Sequence, residues 1–306
     1  MKMNVIAVKT INYLNQTVNL AVLLITIALI TFAGYALWDS NKLYQAADKS
    51  HYAVYKPSIK DEGKSFEALQ AINAEVIAWL SVYGTNIDYP VTQGPDNMKY
   101  VDTDAEGRYS LSGSIFLDSN NKRDFSDYNN ILHGHHMAKN VMFGEIGNFS
   151  DRKIFDAHQY GNLYIAEKDF GLEFFAFIHA DAYDISIFSP GIKAENRQVY
   201  FDNLLAHATH IRDVDVTPDD RLILLSTCSS RSTNGRDILV GRITNNIFRD
   251  PSITMQANDG KSRDNDQDIV IGKIHLMDIL LIALLTAVIS VIHYIRKNKK
   301  GVEKND

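Results

Sequence analysis

The chain has 306 residues, a formal net charge of −6 and one cysteine. That balance argues against a nucleic-acid binder, which would carry a basic face. One cysteine excludes an internal disulfide, so any part outside the cytoplasm is held by its core alone. A free thiol there is open to oxidation and needs a reason to be present. Hydrophobic residues make up 45% and charged residues 22%, the composition of a globular domain with membrane segments added.

Residues 1–17 carry Lys2 and Lys9 and read as a cytoplasmic N-terminus. Residues 18–38 hold an uncharged run from Val18 to Leu37. About 20 apolar residues cross a hydrocarbon core. Lysines before the run favour an inside N-terminus. The run exceeds the apolar core of a cleaved signal peptide, so an uncleaved anchor is expected. Residues 39–64 are polar, with Pro57 and Gly63, and read as a stalk or short helix. Residues 65–250 form the extracytoplasmic domain.

In that domain Phe66, Leu69, Ile72, Val76 and Leu80 recur at spacings of three and four. This predicts a helix capped by Ser65, with its last part near Trp79 already compatible with a strand. Ile87–Val91 alternates and reads as a strand with Pro90 at an edge or bulge. Ser114–Leu117 is a strand ending in the turn cluster Asp118–Asn121, and Asn130–His133 is another strand. Gly161–Ala166 and Leu172–Ile178 read as a hairpin joined by Glu167–Gly171. Ala194–Ala208 is a helix with Leu204 and Leu205 inward, lying between strands near Ile185 and Leu222. Residues 251–274 are a polar linker. Residues 275–295 form a second span with Asp278 near its outer edge. Arg296, Lys297, Lys299 and Lys300 follow in a basic tail, 296–306, that stays inside. Many short strands with few helices predict a mainly β fold with flanking helices, a closed barrel or sandwich.

Two stretches carry chemistry. The apolar run Leu222–Leu225 ends in Ser226, Thr227 and Cys228, and Arg236 opens the next apolar run. A lone cysteine is more often a small buried hydrophobe. The strand end, the flanking hydroxyls and the following cation favour a nucleophile. Upstream lie His133, Gly134, His135 and His136. A thiol needs a partner that takes and returns a proton near neutral pH, which imidazole does. Three histidines in four positions also suggest a metal. They need not converge in a strand-to-turn segment, and no second ligand pair stands out, so neither metal nor cofactor is expected. His133 has a packing or backbone-bonding alternative, and His136 a surface one. Arg236 can equally form an exposed salt bridge. Ser226 and Thr227 are substrate-binding or supporting candidates, with ordinary strand hydroxyls as the plain alternative.

His135 after Gly134, the Leu225-Ser226-Thr227-Cys228 run and Arg236 opening the next strand together resemble the sortases, membrane-anchored cysteine transpeptidases of Gram-positive bacteria. Val76–Leu80 with Gly84–Val91, Gly113–Asp118, and Gly134–Met137 with Met142–Gly144 resemble class B members in particular. The helix over 194–208 fits that class, and the likeness covers roughly residues 65–245. It implies a closed eight-stranded β-barrel with Cys228 as nucleophile, His135 as acid/base and Arg236 as the cation at the reacting carbonyl. It also implies cleavage of a C-terminal sorting signal on secreted proteins, through a thioester, and transfer to an amine of the cell-wall cross-bridge. A pilin lysine is the alternative acceptor. A water-using cysteine peptidase and an inactive membrane scaffold are further alternatives. The implied partners are the sorting-signal substrate, a peptidoglycan precursor or pilin amine, and the membrane, without nucleic acid. His133 departs from the aromatic residue common in the class. The second span is more familiar from pilus-building sortases, yet no Asp-Pro-aromatic lid motif is present.

Overall fold

The structure, a computed structural model, describes residues 2–57, 63–229 and 231–251. Helix α1 (Lys2–Ala46) exposes its apolar side chains and reaches a mean hydropathy of 2.4. Its length and composition suffice to cross a membrane. The linker beyond residue 251, the span expected at 275–295 and the basic tail lie outside the described residues.

The segment read as a stalk is folded onto the domain. Two 3-10 turns, Lys49–His51 and Ala53–Tyr55, follow α1. Ala47 and Tyr52, 1% and 4% exposed, belong to the main core. The Tyr89 hydroxyl donates to the Ala47 carbonyl at 2.9 Å and accepts from the Met142 N–H at 3.1 Å.

Helix α2 (Lys64–Ile72) is shorter than its apolar spacing predicts, and its N-cap is Gly63 rather than Ser65. Asn73 stops it. The Asn73 backbone is extended, its side-chain amide donates to the Tyr100 hydroxyl and the Ala105 carbonyl, and its side-chain oxygen accepts the Glu75 N–H. The chain then enters β1 (Val76–Val82), all seven residues of which are buried. A strand buried on both faces carries apolar residues throughout, so Val76 and Leu80 continued a helical spacing by coincidence.

The remaining strands are β2 (Asp88–Thr92), β3 (Ile115–Leu117), β4 (Asn129–His133), β5 (Tyr160–Ile165), β6 (Lys168–Asp181), β7 (Ala208–Ile211), β8 (Arg221–Cys228) and β9 (Gly235–Thr244). Helix α3 (Arg152–Ala157) precedes β5, and α4 (Arg197–Ala206) lies between β6 and β7. Pro90 faces Trp79 of β1 and lies outside the β2–β3 ladder, so its missing N–H interrupts nothing there. The β5–β6 turn is tighter than expected. Ala166 and Glu167 both take positive φ (47° and 64°), the geometry of a two-residue primed turn, without the glycine or asparagine that would announce one. No strand forms at Ile185, which sits exposed after β6 has ended at Asp181.

The strands close in the order β5-β1-β2-β3-β4-β8-β9-β6, with β6 returning to β5. This is a closed eight-stranded barrel. The short β7 adds to the far half of β6, outside the ring. Closure removes the unpaired edges an open sheet would present. Along β8 the side chains alternate. Ile223 and Leu225 fill the interior with Phe177 and Leu239. Leu222 and Leu224 join Ile238 and Val240 on the outer face, beneath Tyr200, Phe201 and Leu204 of α4.

Candidate active site

Two non-local pairings assemble the site. β4 runs parallel to β8 with His133 opposite Ser226. Two residues further on, both chains leave the sheet at the same level, carrying His135 and Cys228. β8 runs antiparallel to β9 with Cys228 directly opposite Arg236. Paired residues share a face, and alternation puts these two on the outer face with Leu224 and Ile238. Cys228 is exposed, while His135 and Arg236 are half-buried.

The loop after β4 is held to β8 by hydrogen bonds. The Gly134 N–H donates to the Ser226 carbonyl at 3.2 Å, and the Thr227 hydroxyl donates to the Gly134 carbonyl at 2.8 Å. Ser226 and Thr227 are each only 2% exposed, so the sheet encloses both hydroxyls. His135 Nε2 lies 2.7 Å from the Val101 carbonyl. A carbonyl only accepts, so Nε2 carries the hydrogen and Nδ1 is the atom free to exchange a proton. Arg236 donates to the Gly235 carbonyl at 3.1 Å.

Gly134 is required by packing. A Cβ there would lie 2.7 and 2.9 Å from ring carbons of Phe143, which is fully buried. Gly134→Ala is therefore expected to cost about 1–3 kcal/mol through overpacking and to lower activity at least about tenfold by displacing His135. Thermal unfolding and peptide cleavage measured side by side check this, and an alanine variant with wild-type values of both would refute it.

His133 does not join His135. Its Nε2 lies 3.2 Å from Asp118, and its ring stacks on Phe188 and tilts against Phe116. Burial works against the Asp118 carboxylate. Hydrogen bonds from His133, the Asn120 N–H and Asn97 outweigh it and hold the pKa down at about 2. His136 is exposed and bridges to Met142. Among the described residues no cluster of three His, Cys, Asp or Glu side chains could hold a metal ion.

One feature escaped the sequence reading. Behind the outer row lies an inner one, Thr227–Asp237–His179, in register across β8, β9 and β6. His179 Nδ1 donates to Asp237 at 2.6 Å, and Asp237 is 5% exposed. A polar residue where β9 otherwise alternates apolar residues inward was the available signal.

No protein-family model matches the chain. It is 30% identical over 183 residues to Sortase B of Staphylococcus aureus, covering 58% of this chain and 74% of that one. The crystal structure of sortase B from the type II pilus of Streptococcus pneumoniae is 45% identical, with a TM-score of 0.53, covering 59% of this chain and 99% of that one. A Streptococcus pyogenes class B sortase involved in pilus biogenesis is 39% identical, with a TM-score of 0.54, covering 60% and 99%. Likeness of this depth across most of each relative, on the same closed barrel, establishes that the chain belongs to the class B sortases, a family of cysteine transpeptidases.

Proposed function

We propose that Cys228, His135 and Arg236 carry the transpeptidation, and that the incoming amine belongs to a pilin lysine. The observation supporting the first part is the double register that brings the ends of β4, β8 and β9 to one level. The Cys228 thiolate attacks the carbonyl carbon before the scissile bond of the sorting signal. The tetrahedral oxyanion takes a hydrogen bond from Arg236, worth about 3 kcal/mol for one good donor. Collapse breaks the C–N bond, protonated His135 gives its Nδ1 proton to the leaving amine, and a thioester remains. The acceptor amine then attacks the thioester. Neutral His135 takes its proton, and the Cys228 thiolate leaves.

For the acceptor, two relatives described by their part in pilus assembly are 45% and 39% identical, against 30% for Sortase B of S. aureus. This favours a pilin amine over the cell-wall cross-bridge. In this reading residues 18–38 and 275–295 anchor a catalytic domain over 65–250 outside the membrane, with both termini inside.

The test is product analysis with a cleavable sorting-signal peptide and competing amines, one a lysine-containing pilin peptide and the other an oligoglycine cross-bridge mimic. Preferred transfer to the lysine peptide supports the proposal, and preferred transfer to oligoglycine replaces the pilin acceptor with the cell wall. Hydrolysis unaffected by either amine would make water the acceptor in place of an amine, and no reaction at all would leave a scaffold.

A further inference from the structure

We propose that Asp237 and His179 are positioning residues that aim Arg236 at the reacting carbonyl; the inference rests on Arg236 being the cation of the reaction. Three interior positions at one level of the barrel turn polar together. Along β8 the inward residues run Ile223, Leu225, Thr227, and along β9 Leu239 is followed inward by Asp237. Along β6 Phe177 is followed by His179. Directly outside this rung, on the same three strands, stand Cys228, Arg236 and Ala180. Thr227 has its purpose in holding Gly134. The carboxylate and imidazole have none in the chemistry described so far.

Stability alone does not explain them. A buried carboxylate is costly unless paired, and an apolar pair of similar volume is often as stable or more so. Here the cost is met by one hydrogen bond of 2.6 Å, while the His179 Nε2 is buried with no partner among the described residues. The ring edge rests on Phe177, with centroids 4.9 Å apart and planes at 87°. The turn over Ile146–Ser150 passes close to the carboxylate, with room for a glycine only, since a Cβ on Gly147 would lie 3.0 Å from Asp237 Oδ2. The pair is therefore enclosed by the Phe177 ring and the turn.

What the pair does follows from where β9 begins. Residues 231–234 are exposed, and β9 starts at Gly235. Arg236 thus sits on the second residue of a strand that emerges from an exposed loop, where a ladder frays most readily. The Asp237–His179 bond fastens the next rung to β6 and fixes the direction in which Arg236 leaves the sheet.

The test is a double-mutant cycle on the full chain in detergent. The probe is the fluorogenic sorting-signal peptide that the wild-type enzyme cleaves fastest from a peptide library. Asp237→Ala is expected to lower kcat about tenfold with KM within twofold, because the lost contact matters in the transition state. In an Arg236→Ala background the same change is expected to cost less than twofold, the non-additivity of residues acting through one group. Asp237→Asn, whose amide oxygen still accepts from His179, is expected to keep at least half the wild-type rate. Asp237→Ala slowing both backgrounds by one factor, or leaving the wild-type rate unchanged, overturns the positioning role while leaving Arg236 in place. Arg236→Ala with a full rate overturns the reading of Arg236, and the inference with it. If Asp237→Ala fails to fold, His179→Gln and Asp237→Asn in both backgrounds decide the same question.

Discussion

Replacing Cys228 by alanine should abolish the acyl-enzyme and leave the fold intact. The residue is exposed at the last position of β8. Its side chain fills no core site, so the change in stability should stay within about 0.5 kcal/mol. The chemistry has no substitute, because the chain contains no other cysteine. Without a thiolate no thioester forms, and cleavage should fall by more than about 10⁴-fold. Intact-protein mass after mixing with a sorting-signal peptide reads the result directly. The wild type gains the mass of the acyl fragment and Cys228→Ala gains nothing, with matching melting curves. An alanine variant that still transfers peptide to an amine would remove Cys228 from the mechanism.

The three neighbouring histidines should separate widely. His135→Ala removes the group proposed to shuttle the proton and should lower kcat by about 10²–10⁴-fold. His133→Ala breaks the pair with Asp118 and two ring contacts. It should cost stability and slow turnover less than about tenfold, because the His135 backbone is held by Gly134 and Phe143 instead. His136→Ala, on an exposed side chain, should resemble the wild type. Initial rates for the three variants at one pH check this order. Equal losses in all three would point to a shared structural or metal-binding role.

The strand delivering the thiol was legible, because an apolar run ending in small polar residues has one plain meaning. The proposed partnership of Cys228 with His135 was not legible from local pattern. It depends on a parallel pairing between strands far apart in the chain, and only the resemblance supplied it. The boundary between α2 and β1 was misread because a fully buried strand shows no alternation, so Val76 and Leu80 fitted the wrong period. The β5–β6 turn was misplaced because Ala166 and Glu167 adopt a left-handed backbone that their side chains do not advertise. β7 was missed because its exposed edge carries little apolar pattern. Asp237 carries one local signal, a polar residue in the inward apolar alternation of β9. The pairing register places it beside His179.

In the proposed mechanism the β4–β8 pairing also sets when this enzyme becomes reactive. The hydroxyl that secures the His135 loop reaches across 93 residues of sequence, whereas β9 follows β8 directly and pairs with it as a local hairpin. Contacts of such separation form late, because the entropy of closing a long loop is lost before any contact repays it. An incompletely folded chain therefore brings Arg236 beside Cys228 through the local β8–β9 hairpin while the His135 imidazole is still absent. Catalytic power arrives with barrel closure, so folding itself acts as the step that arms the enzyme.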